Sequence, residues 1–146
     1  MEAGNYLITE TRDFILWQYN NICLKLTVKG DNTGIRSHIR IDIRMYETVR
    51  HQELPTIFGV RLFISELEMI MDYLHHKKIG IRPGDGVLTG YGNNKRFILI
   101  EEDGDFVQIK QRRKNKRYTV YLNKAAIDVI LDCRIAINVA IIKMTD

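Results

Sequence analysis

The chain has 146 residues, of which 45% are hydrophobic and 27% charged, a composition typical of one soluble globular domain or two very small ones. Only 10 glycines, 2 prolines and 2 cysteines exclude a collagen-like chain, a low-complexity linker and a disulfide scaffold. Lysine and arginine number 22 against 18 acidic residues, and this net charge of +4 constrains the binding partners more than the fold.

Four segments in the first half have the pattern of β-strands. Residues 14–17 form a short apolar run, and residues 24–29 and 39–46 alternate apolar with polar side chains. After a polar loop, residues 60–64 alternate in the same way. This period of two is typical of a sheet with one buried and one wet face.

A helix follows these strands and completes a first unit over residues 10–79. Ser65 or a neighbour is expected to cap it, and Glu66 in its first turn is favourable at a helix N-terminus. Its apolar stripe consists of Leu67, Ile70, Met71 and Leu74.

The second half repeats this order after a glycine-rich break at residues 80–86, the predicted linker. Asn123 is expected to cap the last helix of this second unit, which covers residues 87–146. The strands are predicted at residues 87–89, 97–99, 106–111 and 118–122. We therefore expect an α+β protein with two strand-strand-strand-strand-helix units.

The final helix is apolar on most sides over residues 125–142, which predicts an interior position. Its packing against the helix of the first unit would join the two units as an intrachain pseudo-dimer. Isoleucine and valine leave part of residues 135–144 open to a strand assignment. Polar residues within it, such as Asp128 and Arg134, argue against a membrane span.

Two isolated cysteines, Cys23 and Cys133, fit a reducing compartment, although one buried disulfide stays an alternative. The first residues lack the basic and apolar regions of a signal peptide. We expect an intracellular protein without a membrane partner.

Basic side chains mark one candidate site on the wet face of the first sheet. Lys25, Lys29, Arg40 and Arg44 occupy polar positions of neighbouring strands, where they can contact phosphates. Aromatic residues that could stack on unpaired bases are Tyr46, Trp17, Tyr19, Tyr91 and Phe106. The alternative is a basic face that only keeps the sheet soluble.

A second candidate site is the basic cluster at residues 110–117, around a predicted hairpin tip. It fits phosphate contacts or a nuclear-import signal, but also a solvated tip that protects an edge strand. Acidic residues 101–105 could instead neutralise it across the hairpin. Its cations are Lys110, Arg112, Arg113, Lys114, Lys116 and Arg117.

Signals for catalysis are weak. The glycine-rich segment at residues 84–92 lacks the Gly-Lys-Ser/Thr of a nucleotide-binding loop, and the histidines lack metal-ligand spacing with the cysteines. Asp105 with Gln108 and Lys110 resembles only faintly the acid-plus-lysine arrangement of metal-dependent nucleases, which need two or more carboxylates. We therefore expect a protein that is not an enzyme and has no cofactor or metal, with a nuclease-like enzyme as a minor alternative.

Three segments resemble the DNA-binding domain of one family of transcriptional coactivators. Residues 26–29, residues 39–46 with their Ile-Asp-Ile-Arg-Met-Tyr, and residues 55–62 with their Gly-Val-Arg-Leu are similar to motifs of the positive cofactor four family. The resemblance covers residues 14–74, and residues 87–146 resemble a degenerate second copy. It implies curved sheets that pair across their helices and form a groove for single-stranded or melted DNA.

The resemblance also implies roles for individual residues. Arg44 and Lys29 match cations of the family that contact the DNA backbone. In the second copy, Lys110 has the position that Arg44 has in the first, and Lys95 matches a family lysine in the first turn. The chain departs from the family at Glu47, where a stacking tryptophan is usual. Phe58 stands in place of a lysine, and Glu102 in place of a basic residue.

These features predict a single-stranded-DNA-binding cofactor of transcription or replication, in the nucleus or in a viral replication or transcription compartment. RNA or melted duplex are alternative ligands, and proteins of the transcription or replication machinery are further partners. An adaptor that has lost the DNA groove is the main alternative function. A monomeric pseudo-dimer and a homodimer both remain open.

Overall fold

A computed structural model of the protein describes residues 8–80, 86–89, 96–114 and 116–145. Within these ranges the chain forms strands and helices in the order expected. The strands are β1 (Ile8–Tyr19), β2 (Ile22–Asp31), β3 (Arg40–Val49), β4 (Gln52–Leu62), β5 (Gly86–Thr89), β6 (Arg96–Asp103), β7 (Phe106–Arg113) and β8 (Lys116–Leu122). The helices are α1 (Ile64–Lys78), α2 (Lys124–Asp132) and α3 (Arg134–Lys143), with a 3-10 turn at Arg36–His38.

The strands form two four-stranded antiparallel sheets, one in each half of the chain, with the strands in sequential order. Each sheet is followed by helix, which confirms the predicted α+β class and the repeated unit. Most of the predicted linker, residues 81–85, lies outside the described residues, and Gly86 already belongs to β5.

The alternating residues of the strands bury one face of each sheet. In the first sheet Ile43 lies opposite Val60, and in the second sheet Ile109 lies opposite Val120. All four side chains are buried and belong to one hydrophobic core that spans both units. The matching register shows that the two sheets are repeats of the same structure.

The helices join the two units. Helix α1 packs on β3 and β4 of its own sheet and reaches β5 of the other sheet, while α2 lies on β1 and α3 on β2. Helices α1 and α2 touch each other, as predicted, and β4 lies beside β8. The chain is therefore an intrachain pseudo-dimer whose contact includes strands as well as helices.

Part of the predicted polar loop before residue 60 is in fact a β-ribbon. Strands β3 and β4 continue their pairing out to a two-residue turn at Arg50 and His51, whose φ angles are 53° and 67°. Such left-handed turns normally use Asn or Gly, so the sequence carries no turn signal there. Pro55 is tolerated because β4 is an edge strand of its sheet.

The last helix differs from its prediction. It divides at Cys133 into α2 and α3, and residues 134–143 are helical rather than a strand. Helix α2 buries Ala126, Ile127 and Ile130, but α3 leaves Ile135 79% exposed, so the predicted interior position is wrong for α3. An apolar composition predicted burial, whereas α3 packs only one side on the sheet.

Of the two predicted helix caps, one is confirmed and one is moved. Asn123 Oδ1 accepts a hydrogen bond from the Ala126 N–H at 2.8 Å, as expected for an N-cap. Helix α1 instead begins after Phe63, whose N–H donates to Glu66 Oε1 at 2.8 Å. The Glu66 carboxylate, three residues into the helix, therefore satisfies the backbone N–H of Phe63, the N-cap residue.

A buried amide ties the two units together where β4 meets β8. Gln111, on β7, is 1% exposed. Its Oε1 accepts from the Arg61 N–H at 2.9 Å and its Nε2 donates to the Arg61 carbonyl at 2.5 Å. Gln111 thus pairs with the backbone of an edge strand in the other unit.

We expect Gln111→Ala to lower the free energy of unfolding by about 1–3 kcal/mol, because two backbone groups of Arg61 lose their partner. Gln111→Met, which keeps the volume without the polar atoms, should cost a similar amount. Gln108→Ala, which removes only a bond to the Tyr121 hydroxyl, is the control. Urea denaturation measures all three, and a wild-type midpoint for Gln111→Met would contradict the role of these hydrogen bonds.

Candidate nucleic-acid interface

The structure gathers the predicted basic residues of the first unit on one face. Lys25 on β2 lies directly opposite Arg44 on β3, and Lys29 lies opposite Arg40. Tyr46 follows on the same face of β3, opposite Cys23. Directly opposite residues of an antiparallel pair share a face, so these side chains form one surface, which we call the first polar face.

Carboxylates hold the cations of the first polar face. Lys25 pairs with Glu53 and lies 3.8 Å from Asp13. Asp42, which is only 2% exposed, is 3.7 Å from Lys29 Nζ and 3.2 Å from Arg44 Nε. The basic residues recognised in the sequence are therefore partly neutralised by acids of the same sheet.

The charge of Lys25 is stabilised by its surroundings. Burial alone would lower the pKa of its ammonium group, but the hydrogen bond to Glu53 and the charges of Glu53 and Asp13 outweigh burial and raise that pKa. The ammonium also lies 5.0 Å from the centre of the Tyr46 ring. Burial raises the pKa of the Tyr46 hydroxyl, and the charge of Asp42 adds to this effect.

Arg44 is held in place across β4. Its Nε donates to Asp42, and its Nη1 donates to the Thr56 carbonyl at 2.8 Å. The side chain passes over Gly59, where an added Cβ would meet Arg44 Cζ at 2.6 Å and Cγ at 2.9 Å. Only glycine at this position leaves room for the arginine.

Arg40 has a different setting from the rest of the first polar face. Its Nη1 donates to the carbonyls of Ser37 and Ile39, and its guanidinium lies 4.4 Å from the centre of the Phe63 ring. Arg40 lies opposite Lys29 on the predicted face, but its guanidinium contacts the 3-10 turn and the residue before α1.

A groove runs from the first polar face to the second unit. Its volume is about 460 Å³, and Tyr118 of β8 forms one wall. The first sheet contributes Lys29, Asp42, Arg44, Tyr46, Pro55, Thr56, Ile57 and Arg61. We call this the first groove.

A second groove of about 350 Å³ lies on the other unit. Its lining includes the cations Lys110, Arg112 and Arg117, and again Tyr118. Because Tyr118 borders both grooves, they adjoin where β4 meets β8. The described residues thus place cations of both units on either side of one aromatic ring.

The hairpin tip between β7 and β8 is more open than the first polar face. Lys114, Lys116 and Arg117 are exposed, and among the described residues no carboxylate pairs with them. Arg113 lies with its guanidinium 4.1 Å from the centre of the Tyr118 ring, and Arg112 is exposed beside it.

The acidic residues 101–105 neutralise one cation of the basic cluster at residues 110–117, because Glu101 pairs with Lys110. Glu102 pairs instead with Lys77 of α1. The turn between β6 and β7 lies at the other end of β7, about 23 Å from the basic tip for eight extended residues. Within the described residues, the acids of this turn therefore pair with none of Lys114, Lys116 and Arg117 at the tip.

Some predicted residues fall outside this interface. Lys95 and Tyr91 lie outside the described residues. Trp17, Tyr19 and Phe106 line neither groove. Of the proposed stacking residues that the structure describes, only Tyr46 borders one of these two grooves.

Sequence reasoning missed Tyr118 and Arg61 as groove residues. Both lie on the strands where the units meet, so their position depends on how the two sheets pack. A signal existed for Tyr118, because the aligned repeats place it at the position of Phe58, one of the departures noted above.

Within the described ranges, no three residues of histidine, cysteine, aspartate or glutamate come together as metal ligands. None of the described helices is long and apolar enough to cross a membrane. Compared with known proteins, the chain matches no family model, no curated protein and no solved structure.

We expect Gly59→Ala to displace Arg44 and to lower the free energy of unfolding by about 1–3 kcal/mol, because Asp42 loses a partner while still buried. In an Arg44→Ala background the same change should be almost neutral. A double-mutant cycle by urea denaturation measures this coupling. An equal cost of Gly59→Ala in both backgrounds would contradict the packing of Arg44 over this glycine.

Proposed function

We propose that the protein binds single-stranded nucleic acid, with single-stranded or locally melted DNA as the ligand, in support of transcription or replication. One observation carries the proposal: two grooves with basic walls meet at a partly exposed tyrosine, Tyr118. Proteins that bind single strands combine a positive groove for the backbone with aromatic rings for the bases. The resemblance of residues 14–74 to the positive cofactor four family supports the same ligand.

The shape of the site favours an unpaired strand over a duplex. The cations and Tyr118 line shallow grooves on the surfaces of sheets rather than a helix that enters a major groove. An aromatic side chain in such a groove can stack only on a base that is not covered by its neighbours. The ligand should therefore contact the protein through phosphates and base faces, with little sequence preference.

The two units should contribute unequally to phosphate binding. Lys29 and Arg44 share the buried carboxylate of Asp42, so part of their charge is already balanced. Lys116 and Arg117 of the basic tip face solvent without a described carboxylate. We therefore assign most of the salt-dependent affinity to the second unit, although the first unit carries the family resemblance.

A protein-protein adaptor is a second candidate function. Helix α3 exposes Ile135, Val139 and Ile142, which lie on one side of the helix. An exposed apolar stripe is typical of a protein contact. The basic tip favours nucleic acid as the main ligand, since an adaptor needs no such charge.

The test is fluorescence anisotropy with a labelled 20-mer single strand across a salt series, with duplex and RNA 20-mers as competitors. We expect binding that survives duplex competitor. Replacing Lys116 and Arg117 together by alanine should lower the slope of log affinity against log salt by about 1.4, since each phosphate contact on a single strand contributes about 0.7.

The matched control replaces Lys124 and Lys143, two exposed helical lysines, and should leave the slope unchanged. Equal slopes for the two double variants would overturn the assignment of the basic tip. Competition by duplex as effective as by single strand would overturn the proposed ligand.

A further inference from the structure

The two repeats match residue by residue where the units meet. Gly59 of β4 lies opposite Arg44, and Thr119 of β8 lies opposite Lys110. The following buried residues also correspond, with Val60 matching Val120 and Leu62 matching Leu122. The residues just before them, Phe58 and Tyr118, correspond in the aligned sequences and both are aromatic, but Phe58 lies at a β-bulge whereas Tyr118 pairs with Gln111.

Tyr118 is placed to contact ligand from either unit. It borders the first groove beside Arg44 and Arg61, and the second groove beside Lys110 and Arg112. Arg113 lies over its ring at 4.1 Å, and the partly buried side chain also packs against the hydrophobic core, so both contacts restrict the rotation of the ring. The side chain is partly exposed, as a binding residue must be.

Phe58 has the corresponding position in the first unit. Its side chain is 45% exposed although the residue is apolar and lies in an edge strand. Its N–H donates to the Thr56 hydroxyl, which in turn donates to the Met45 carbonyl, so the backbone that carries the ring is fixed. Phe58 lines neither groove, however, so its exposed ring serves as a comparison for Tyr118 rather than as a second contact.

We propose that Tyr118 stacks on an unpaired nucleobase where the two grooves adjoin. This inference rests on the proposed function and names how the site contacts the bases. Tyr46 borders only the first groove, whereas Tyr118 borders both grooves. Stacking thus moves from β3 to β8.

The experiment compares two 20-mer strands, oligothymidine and an abasic strand with the same number of phosphates. Wild-type protein should bind oligothymidine more tightly, because only that strand offers bases. Tyr118→Leu should lower the affinity for oligothymidine about 5- to 150-fold, the range measured for loss of one stacked base. Its affinity for the abasic strand should stay at the wild-type value. The ratio of the affinity for oligothymidine to the affinity for the abasic strand therefore falls.

Tyr118→Phe keeps the ring and should keep the wild-type ratio, which separates stacking from the hydroxyl group. Phe58→Leu should leave the ratio unchanged, because Phe58 is 45% exposed but lines neither groove. Phe106→Leu is the matched control, because Phe106 is 48% exposed but lines neither groove, and it should change nothing.

A Tyr118→Leu variant with the wild-type ratio would overturn the stacking role while leaving the binding function intact. Equal losses for both strands would also overturn it, since they would indicate a displaced Arg113 rather than a lost base contact. Wild-type protein that binds neither strand would overturn the proposed function and this inference together.

Discussion

Each sheet has one apolar face, and the helix that follows it covers only part of that face. Helix α1 packs on β3 and β4, which leaves the apolar side chains of β1 and β2 to α2 and α3 from the other unit. In return α1 reaches β5 of the second sheet. Burial of apolar surface is the main favourable term in folding, so this exchange of helices joins the two units into one core.

The same exchange determines the position of the candidate site. The exchanged helices bring the edge strands β4 and β8 together. At this contact the side-chain amide of Gln111 pairs with the backbone of Arg61. Tyr118 then lies between the cations of both units. The helices of each unit cover part of the other unit's sheet, and this packing creates a surface that neither unit has alone.

Charge is distributed less symmetrically than the fold. In the first unit Asp42 lies between Lys29 and Arg44, whereas its equivalent in the second unit is the uncharged Gln108. The ion pairs around Asp42 position Arg44 and reduce the net charge of the first polar face. The two units therefore differ in this polar position, while the buried positions Val60 and Val120 are identical.

Local pattern was sufficient to predict much of the fold. Alternation over residues 24–29 and 39–46, and a capping residue such as Asn123, depend only on neighbours in the chain. The β-ribbon was missed because Arg50 and His51 adopt left-handed angles without a glycine or asparagine. The break between α2 and α3 was not predicted because no proline or glycine lies near Cys133.

The site was harder to predict because its contacts are distant in sequence. Lys25 and Arg44 were recognised as basic residues of one face, but their partners Glu53 and Thr56 come from another strand. The role of Tyr118 depends on the packing of two units. No periodicity within one strand carries that information.

The most direct test of the central claim, that both units form one binding surface, is an NMR titration of the isotopically labelled chain with a single-stranded 20-mer. We expect the backbone signals that shift to cluster in β4, in β8 and at the basic tip, with smaller changes along β2 and β3. Shifts confined to one unit, or to the exposed side of α3, would contradict a shared surface where β4 meets β8.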